Sequence, residues 1–480
     1  MKRNNTLKLY QHQTETVDFL KANPRAFITS TPGTGKTVSV LETWHQHHTG
    51  KMLVISPKST LEAVWGNDLA NFYPETKCGI FNRKPARYTN YILDLLTNHD
   101  IVIINIEAVD LVLNHLDIID AQYSTLVIDE FTSIKNRAAQ RSKKVAKLVD
   151  HFNYRYFLSG TPTPNGILDI WHPAFLLDGG QRLGGNFYAF RNTVCQPVQK
   201  GYHQVFTEWQ EIEGAADIVA DTLRDITIRH VLEEVTDMPE RIYRHMEITM
   251  PDKLRKAYEE MQSTAILQLK GKLTTAQQIE AAVRATLKGT YGDIPTHDVV
   301  ALNKAVLGNK LLQIASGSVY DGDRIGIQLD PHKYELIVDL IKEREHSLVF
   351  FIWQHQYNEL AKLLTKEKIT FEAIHGAVSQ KDRGRIVKEF QQGKYQTLLM
   401  QPAAAAHGIT LTKSTASIWC SPTWNLEHFI QANHRDYRIG QTQRTEVIMV
   451  QYKDTIEQRV YESLQTKKNL LDNLLEVLQT

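Results

Sequence analysis

The chain has 480 residues, with 55 Lys and Arg against 54 Asp and Glu, a formal net charge of +1. That length predicts about two to four domains, and so even a charge balance excludes a uniformly basic coat, leaving any nucleic-acid surface local. Hydrophobic residues make up 42% and charged residues 23%, a globular balance that excludes fibrous and disordered classes.

Five short β-rich apolar runs mark the first part of the chain: Phe27-Ile28-Thr29, Met52 to Ile55, Ile101 to Ile104, Leu126-Val127-Ile128 and Tyr156-Phe157-Leu158. Most are followed by a helix-compatible stretch. Continuous apolar runs belong to strands buried on both faces, which predicts a parallel sheet covered by helices. From about Asp169 to Arg241 the pattern turns helical and irregular, with a Gly-rich turn at Asp178 to Gly185. A strand-like run follows at Met246 to Met250. An amphipathic helical region then covers Asp252 to Leu312, broken at Gly289 to Pro295. Strand and helix alternate again at Leu348 to Ile352, Phe371 to Ile374, Thr397 to Met400, Ser417 to Cys420 and Val447 to Val450, before a charged amphipathic helix from Thr455. The fold class is α/β, with two parallel-sheet lobes and helical insertions.

Cys78, Cys195 and Cys420 form no CxxC pair, which disfavours a structural zinc site and fits a reducing cytosol. Met1-Lys2-Arg3-Asn4-Asn5 leads into polar sequence, so no signal peptide is expected. No apolar run approaches the roughly 20 residues of a membrane span.

Ser30-Thr31-Pro32-Gly33-Thr34-Gly35-Lys36-Thr37 follows a strand and opens a helix, the setting of a phosphate loop. Gly33, Thr34 and Gly35 let backbone N–H groups approach phosphates, Lys36 reaches the β- and γ-phosphates, and the Thr37 hydroxyl binds Mg²⁺. Leu126-Val127-Ile128-Asp129-Glu130 is an apolar strand ending in two acids. Beside a phosphate loop, Asp129 is the candidate Mg²⁺ holder and Glu130 the group that polarises the attacking water.

The motifs beyond these decide the class. Asp129 to Asn136, Leu158-Ser159-Gly160-Thr161-Pro162-Thr163-Pro164-Asn165 and Gln431-Ala432-Asn433-His434-Arg435-Asp436-Tyr437-Arg438-Ile439-Gly440-Gln441 resemble the second, third and sixth motifs of Swi/Snf-family ATPases. Similarity continues through Ile55-Ser56-Pro57-Lys58 with Trp65, Leu348 to Gln354, His375-Gly376, Gln401 to Thr412, and Asp454-Thr455-Ile456-Glu457; Arg229 and Met238-Pro239 fit the end of the first insertion. The resemblance implies two RecA-like lobes that hydrolyse ATP with Mg²⁺ in the cleft between them. It implies residues 1–168 as ATP-binding lobe 1, 169–245 as a helical insertion, and 246–251 as a strand returning to lobe 1. Residues 252–330 are then a second helical insertion, 331–455 lobe 2, and 456–480 a C-terminal brace helix.

It also implies residue roles. Gln13 resembles the adenine-reading glutamine, and Gln431 joins the nucleotide set. Ser159 and Thr161 couple hydrolysis to motion. Arg435 and Arg438 come from the second lobe, Arg438 as the finger and Arg435 as its partner on the phosphates; three apart, they share a face if the segment is helical. Pro57, Lys58, His375, Gly376, Thr410 and Thr412 match positions that hold a DNA backbone, a contact that gives affinity without reading sequence. Two departures stand out: Ala405 and Ala406 replace the usual glycines, and Thr132 replaces a His or similar residue.

Trp424 is read as core, the basic series Lys135, Arg137, Arg141, Lys143, Lys144 and Lys147 as a solvated helix face, and His45, His47 and His48 as lacking partners for a metal. The expected activity is translocation on double-stranded DNA with remodelling of protein–DNA or branched DNA structures. The alternatives are a strand-separating or branch-migrating helicase, and an ATP-dependent module docking on a polymerase or nuclease. A cytoplasmic monomer is expected, from a bacterial or phage-infected cell because no reader domain is seen.

Overall fold

The computed structural model describes residues 8–82, 89–200, 206–272, 307–320, 326–405 and 408–479. The expected break at Gly289 to Pro295, and Ala406, lie outside these. Among the described residues two large sheets carry the fold, of seven and six strands.

The first sheet contains β1 (Arg25–Ile28), β2 (Lys51–Ile55), β3 (Cys78–Phe81), β4 (Ile101–Ile104), β5 (Tyr123–Asp129), β6 (Tyr154–Leu158) and β9 (Thr227–Ile228), in the order β3-β4-β2-β5-β6-β1-β9. Every pairing in it is parallel. The apolar runs are unbroken because both faces are covered. Leu53, Ile55, Val102, Ile104, Leu126 and Ile128 enter one apolar cluster, while Met52, Val54, Ile101, Ile103 and Val127 enter another, the period-two alternation of a strand. Strand β3 was not expected from the sequence; it is short, carries Gly79 and buries only alternate residues.

The second sheet holds β10 (Arg241–Ile248), β13 (Ser347–Phe350), β14 (Phe371–Ile374), β15 (Thr397–Met400), β16 (Ala416–Trp419) and β17 (Thr445–Tyr452), in the order β10-β17-β16-β13-β15-β14. Here the expectation for 246–251 fails. That run is the tail of β10, which pairs in parallel with β17 from Arg241 beside Thr445 to Ile248 beside Tyr452, so it joins the second lobe. The strand that returns to the first sheet is β9, beside β1. The physical reason is that β10 is a polar edge strand, largely half-buried or exposed. Its backbone ladder, more than its side chains, fixes its place, and its charges protect the open edge.

The first insertion is not wholly helical either. Helices Trp171–Asp178, Phe187–Val194 and Ala215–Leu223 flank an antiparallel hairpin, β7 (Cys195–Lys200) with β8 (Phe206–Glu211). The Arg191 guanidinium lies 3.5 Å over the Trp209 ring and ties the hairpin to the preceding helix. In the second insertion, helix Asp252–Lys272 packs Leu254 and Tyr258 against Leu311 and Ile314.

The C-terminal helix, Ile456–Gln479, works as a brace. At its start the fully buried Glu457 accepts from Lys333 Nζ at 2.6 Å and from the Tyr452 N–H at 2.9 Å. Further along, Leu471, Leu474 and Leu475 share an apolar cluster with Val219 and Leu223 of the first insertion, and Arg224 donates to the Val477 carbonyl at 3.1 Å. No described helix is long and apolar enough to cross a membrane.

Candidate nucleotide site between the lobes

The loop after β1 turns through Gly33 and Gly35, both at positive φ (95° and 83°), a backbone region closed to most side chains. Helix Lys36–His47 starts on Gly35 without a side-chain cap, so its first-turn N–H groups remain available to an anion. Lys36 Nζ folds back on the loop, donating to the Ser30 carbonyl at 2.7 Å and the Thr31 carbonyl at 3.3 Å. Burial pulls the lysine down to about 8 against the opposing pull of Glu130 and Asp129. Beneath the loop, His12 Nε2–H and Gln13 Nε2 both donate to the Thr34 carbonyl, at 2.8 and 3.2 Å. Gln13 Oε1 accepts from the Tyr10 N–H at 3.0 Å. Gln13 therefore shapes the loop from behind and does not line the cavity in front of it.

Strand β5 delivers the acids. Asp129 Oδ2 accepts from Ser56 Oγ at 2.8 Å and from Trp65 Nε1 at 3.0 Å, so the segment after β2 orients its carboxylate. Glu130 sits in the left-handed region (φ 51°), a strained position for a non-glycine residue. It accepts from Ser159 Oγ at 3.2 Å, and Ser159 Oγ in turn accepts from the Thr161 N–H at 3.1 Å. Burial, reinforced by Glu427 and Asp129, pushes the Glu130 carboxyl up to about 8. Gly160 between Ser159 and Thr161 permits close approach: a Cβ there would stand 2.9 Å from the Pro32 ring.

The second lobe supplies the other wall. Helix Leu426–Asn433 ends before the arginines, so the helical face expected for Arg435 and Arg438 is a turn. Each is anchored instead by its Nε–H on the carbonyl four residues earlier, Arg435 on Gln431 at 2.7 Å and Arg438 on His434 at 3.0 Å. Arg435 also donates to the Ile409 carbonyl at 3.2 Å. Arg438 leans across the cleft: a Cβ on Gly33 would lie 3.4 Å from its Cγ. Burial lowers Arg438 to about 10, while Asp68 and Glu130 favour its charge. Gln431 Oε1 is buried with no hydrogen-bond partner.

These groups meet in one cavity of about 310 Å³. Gly33, Gly35, Lys36, Thr37, Asp129 and Glu130 face it from the first lobe, and Thr410, Gln431, Arg435 and Arg438 from the second. A cationic floor, two acids, open loop amides and an unpartnered amide oxygen fit a triphosphate with a divalent cation.

Motif reading missed several members. Asp68 lines the cavity, pushed up to about 6 by burial. Thr132, noted only as a departure, donates to Glu427 Oε1 across the lobes at 2.9 Å. Ser56 and Trp65 lay inside a quoted motif, but their hold on Asp129 is a long-range contact that spacing does not reveal.

The expected DNA positions stand on separate elements of both lobes. Lys58 is exposed after β2, with Pro57 half-buried beside it. Gly408, at the start of the loop to Thr412, touches this region: a Cβ there would meet Val64 at 3.1 Å and the Ser59 carbonyl at 3.3 Å. Thr410 instead faces the nucleotide cavity, where it accepts from Arg438 at 3.4 Å. Thr412 accepts from Gln391 at 3.2 Å. His375 and exposed Gly376 follow β14 at the far edge of the second sheet.

Trp424, expected in the core, is 45% exposed. It lies on the loop leading into helix Leu426–Asn433, with one edge of its ring beside Gly308, where a Cβ would stand 3.7 Å away. Lys135 pairs with Asp169 at 3.0 Å and Lys144 with Asp110, while Arg137 stacks on Phe187 and Tyr188. His48 bonds Thr125 and Tyr156, and no metal-holding group of three ligands occurs among the described residues.

Residues 12–290 match the SNF2-related domain and residues 332–440 the helicase conserved C-terminal domain. The chain belongs to the SNF2-related family of helicase-like ATPases. Protein p41 of Acyrthosiphon pisum secondary endosymbiont phage 1 is 26% identical over 74% of this chain and 73% of its own length. YwqA of Bacillus subtilis, provisionally named an ATP-dependent helicase/translocase, is 23% identical over 92% of this chain; the chain spans 46% of its length. The solved Sulfolobus solfataricus SWI2/SNF2 ATPase core in complex with dsDNA aligns over 98% of this chain and 94% of its own, at 19% identity and TM-score 0.43.

Proposed function

We propose that the chain is a DNA-dependent ATPase that translocates on double-stranded DNA and remodels protein–DNA or branched DNA structures. The observation that carries this reading is the convergence of Lys36, Asp129 and Glu130 from one lobe with Arg435 and Arg438 from the other on a single cavity. A site split between two bodies can convert ligand turnover into relative motion.

Bound MgATP supplies the γ-phosphoryl group and a divalent charge that spreads its developing negative charge. Thr37 and Asp129 hold the metal, and the loop amides with Lys36 hold the phosphates. Glu130 orients the attacking water, and Ser159 keeps its carboxylate aimed. Arg438, aided by Arg435, offsets charge in the transition state, a contribution worth roughly 10³–10⁵ in rate for arginine fingers. Ser159 and Thr161 link the state of Glu130 to the first-lobe segment that faces Pro32. Gln13, hydrogen-bonded to the Thr34 carbonyl, holds the shape of the loop that cradles the phosphates. Pro57, Lys58, His375, Gly376 and Thr412 are assigned to the DNA backbone, and Thr410 to the nucleotide wall.

ATP turnover measured in parallel with duplex, single-stranded and branched DNA tests the proposal, alongside displacement of a triplex-forming strand. Duplex-stimulated turnover with triplex displacement is expected. Fork unwinding without triplex displacement points to a strand separator. Turnover indifferent to DNA, yet raised by a polymerase or nuclease partner, points to a docking module.

A further inference from the structure

The segment after β2 does more than orient Asp129. It passes through the π-helical stretch Leu61–Gly66 into the short helix Asn67–Phe72, and π-helical turns concentrate at functional sites. Trp65 on this segment holds Asp129. Val64 receives the second lobe, since a Cβ on Gly408 would meet its side chain at 3.1 Å. Three residues beyond Trp65, Asp68 lines the nucleotide cavity together with Arg438 of the second lobe. One short stretch of the first lobe thus reaches the metal-side acid, a loop of the second lobe and the surroundings of the finger.

Three acids line the cavity among the described residues: Asp68, Asp129 and Glu130. Asp129 is held by Ser56 and Trp65, and Glu130 by Ser159. Asp68 makes no hydrogen bond or ion pair with a described residue, and it is half-buried, so its carboxylate keeps access to the cavity. Arg438 is only partly fixed within its own lobe, through Nε–H on the His434 carbonyl and Nη1 on Thr410. No hydrogen bond of its Nη2 joins these two.

The two residues are matched in charge. Arg438 is the charge that offsets the burial of the Asp68 carboxyl. In the other direction, Asp68 favours the Arg438 cation more than Glu130 does. Glu130 also acts on Lys36 and Arg435, so its field is shared among the cations of the site. A carboxylate facing a guanidinium across a partly buried cleft attracts it more strongly than it would in open water.

We infer that Asp68 is a positioning residue for Arg438: its carboxylate, carried by the first lobe, draws the second lobe's guanidinium into the cleft and sets its aim. The aim on a γ-phosphoryl group rests on the ATPase reading above, whereas the attraction between the lobes does not. A carboxylate in this cavity also repels a triphosphate, so its role lies in the rate and not in ATP affinity.

The test measures steady-state ATP turnover by the full chain with duplex DNA. Asp68→Asn is expected to lower kcat about tenfold through a misplaced finger, with KM for ATP no higher than in wild type. Asp68→Glu keeps the charge and is expected to recover most of the rate. In an Arg438→Ala chain, adding Asp68→Asn is expected to change kcat by less than about twofold, because the two residues act as one unit. An unchanged kcat in Asp68→Asn, or an equal fold-loss in the Arg438→Ala background, overturns the inference. A wild-type chain without turnover overturns the ATPase reading instead, and small-angle scattering of the nucleotide-free chain then decides the inference. Asp68→Arg sets like charges against each other and is expected to raise the radius of gyration, and Asp68→Arg combined with Arg438→Glu to restore it. A radius unchanged by Asp68→Arg overturns the inference.

Discussion

The two lobes build the shared cavity by different means. In the first, each functional group stands at the C-terminal end of a parallel strand or on the loop just after it. Lys36 follows β1, Ser56 follows β2, Asp129 and Glu130 end β5, and Ser159 follows β6. A sheet buried on both faces fixes all of them relative to one another. In the second, Arg435 and Arg438 sit in a turn beyond a helix, each held by its own Nε–H on a nearby carbonyl. The difference teaches that strand ends place the first lobe's groups directly, whereas side-chain to carbonyl bonds within a turn place the second lobe's arginines.

Variants can break or sharpen that contrast. The largest effect is expected from Lys36→Ala and Glu130→Gln, each abolishing ATP turnover while circular dichroism and melting temperature stay near wild type; wild-type turnover in either removes the site assignment. Arg438→Ala should lower kcat by about 10³ with a smaller loss of nucleotide affinity, since its role is confined to the transition state. A loss confined to nucleotide affinity, with kcat unchanged, would make it a plain binding residue.

A stability measurement contrasts the anchoring. Glu457→Gln leaves Lys333 charged and buried, and should cost about 3–5 kcal/mol in denaturant unfolding. Thr132→Ala removes only the cross-lobe bond to Glu427 and should cost about 1 kcal/mol, with a few-fold change in turnover. A loss for Thr132→Ala as large as that for Glu457→Gln would mean the lobes are locked together and not hinged.

The smallest effect concerns pH. Burial first, then His47, holds His48 down to about 4 against an ordinary 6.5. The unfolded chain takes up this proton near 6.5 and the folded chain only near 4, so the contribution is fully present above that window and is lost as pH falls through it. Discounted for partial exposure, it amounts to about 1 kcal/mol. His48→Gln should flatten the acid side of the stability profile, and an unchanged slope would contradict this.

Legibility in the sequence follows the same division. Lys36, Asp129, Glu130 and Ser159 were readable because strand, turn and functional group are contiguous, and phosphate chemistry fixes the spacing. Arg435 and Arg438 were readable as a motif, but not their backbone, because the turn is held by side-chain to carbonyl bonds that carry no periodic signature. Strand β10 was misplaced because its polar edge gives no burial pattern, and which sheet it joins is decided by a partner some 200 residues away, as in Arg241 beside Thr445. The hairpin β7–β8 was hidden because its strands are largely polar and half-buried or exposed, with no alternation to read, although they pair with each other across a short loop. Asp68 and Glu427 are cavity or cross-lobe acids outside the residues singled out by motif, and only the meeting of the lobes gives them a role. Trp424 was assigned to the core on residue type alone, a rule that holds for averages and not for a particular loop.

The central claim is that Lys36 and Arg438 act on one triphosphate from opposite lobes. A double-mutant cycle on affinity for a transition-state mimic, MgADP with aluminium fluoride, tests it most directly, using Lys36→Ala, Arg438→Ala and the double variant. The account predicts a coupling energy of about 1 kcal/mol or more, because both residues serve the same ligand. Effects that add to within about 0.3–0.5 kcal/mol would show that the two residues do not share a ligand.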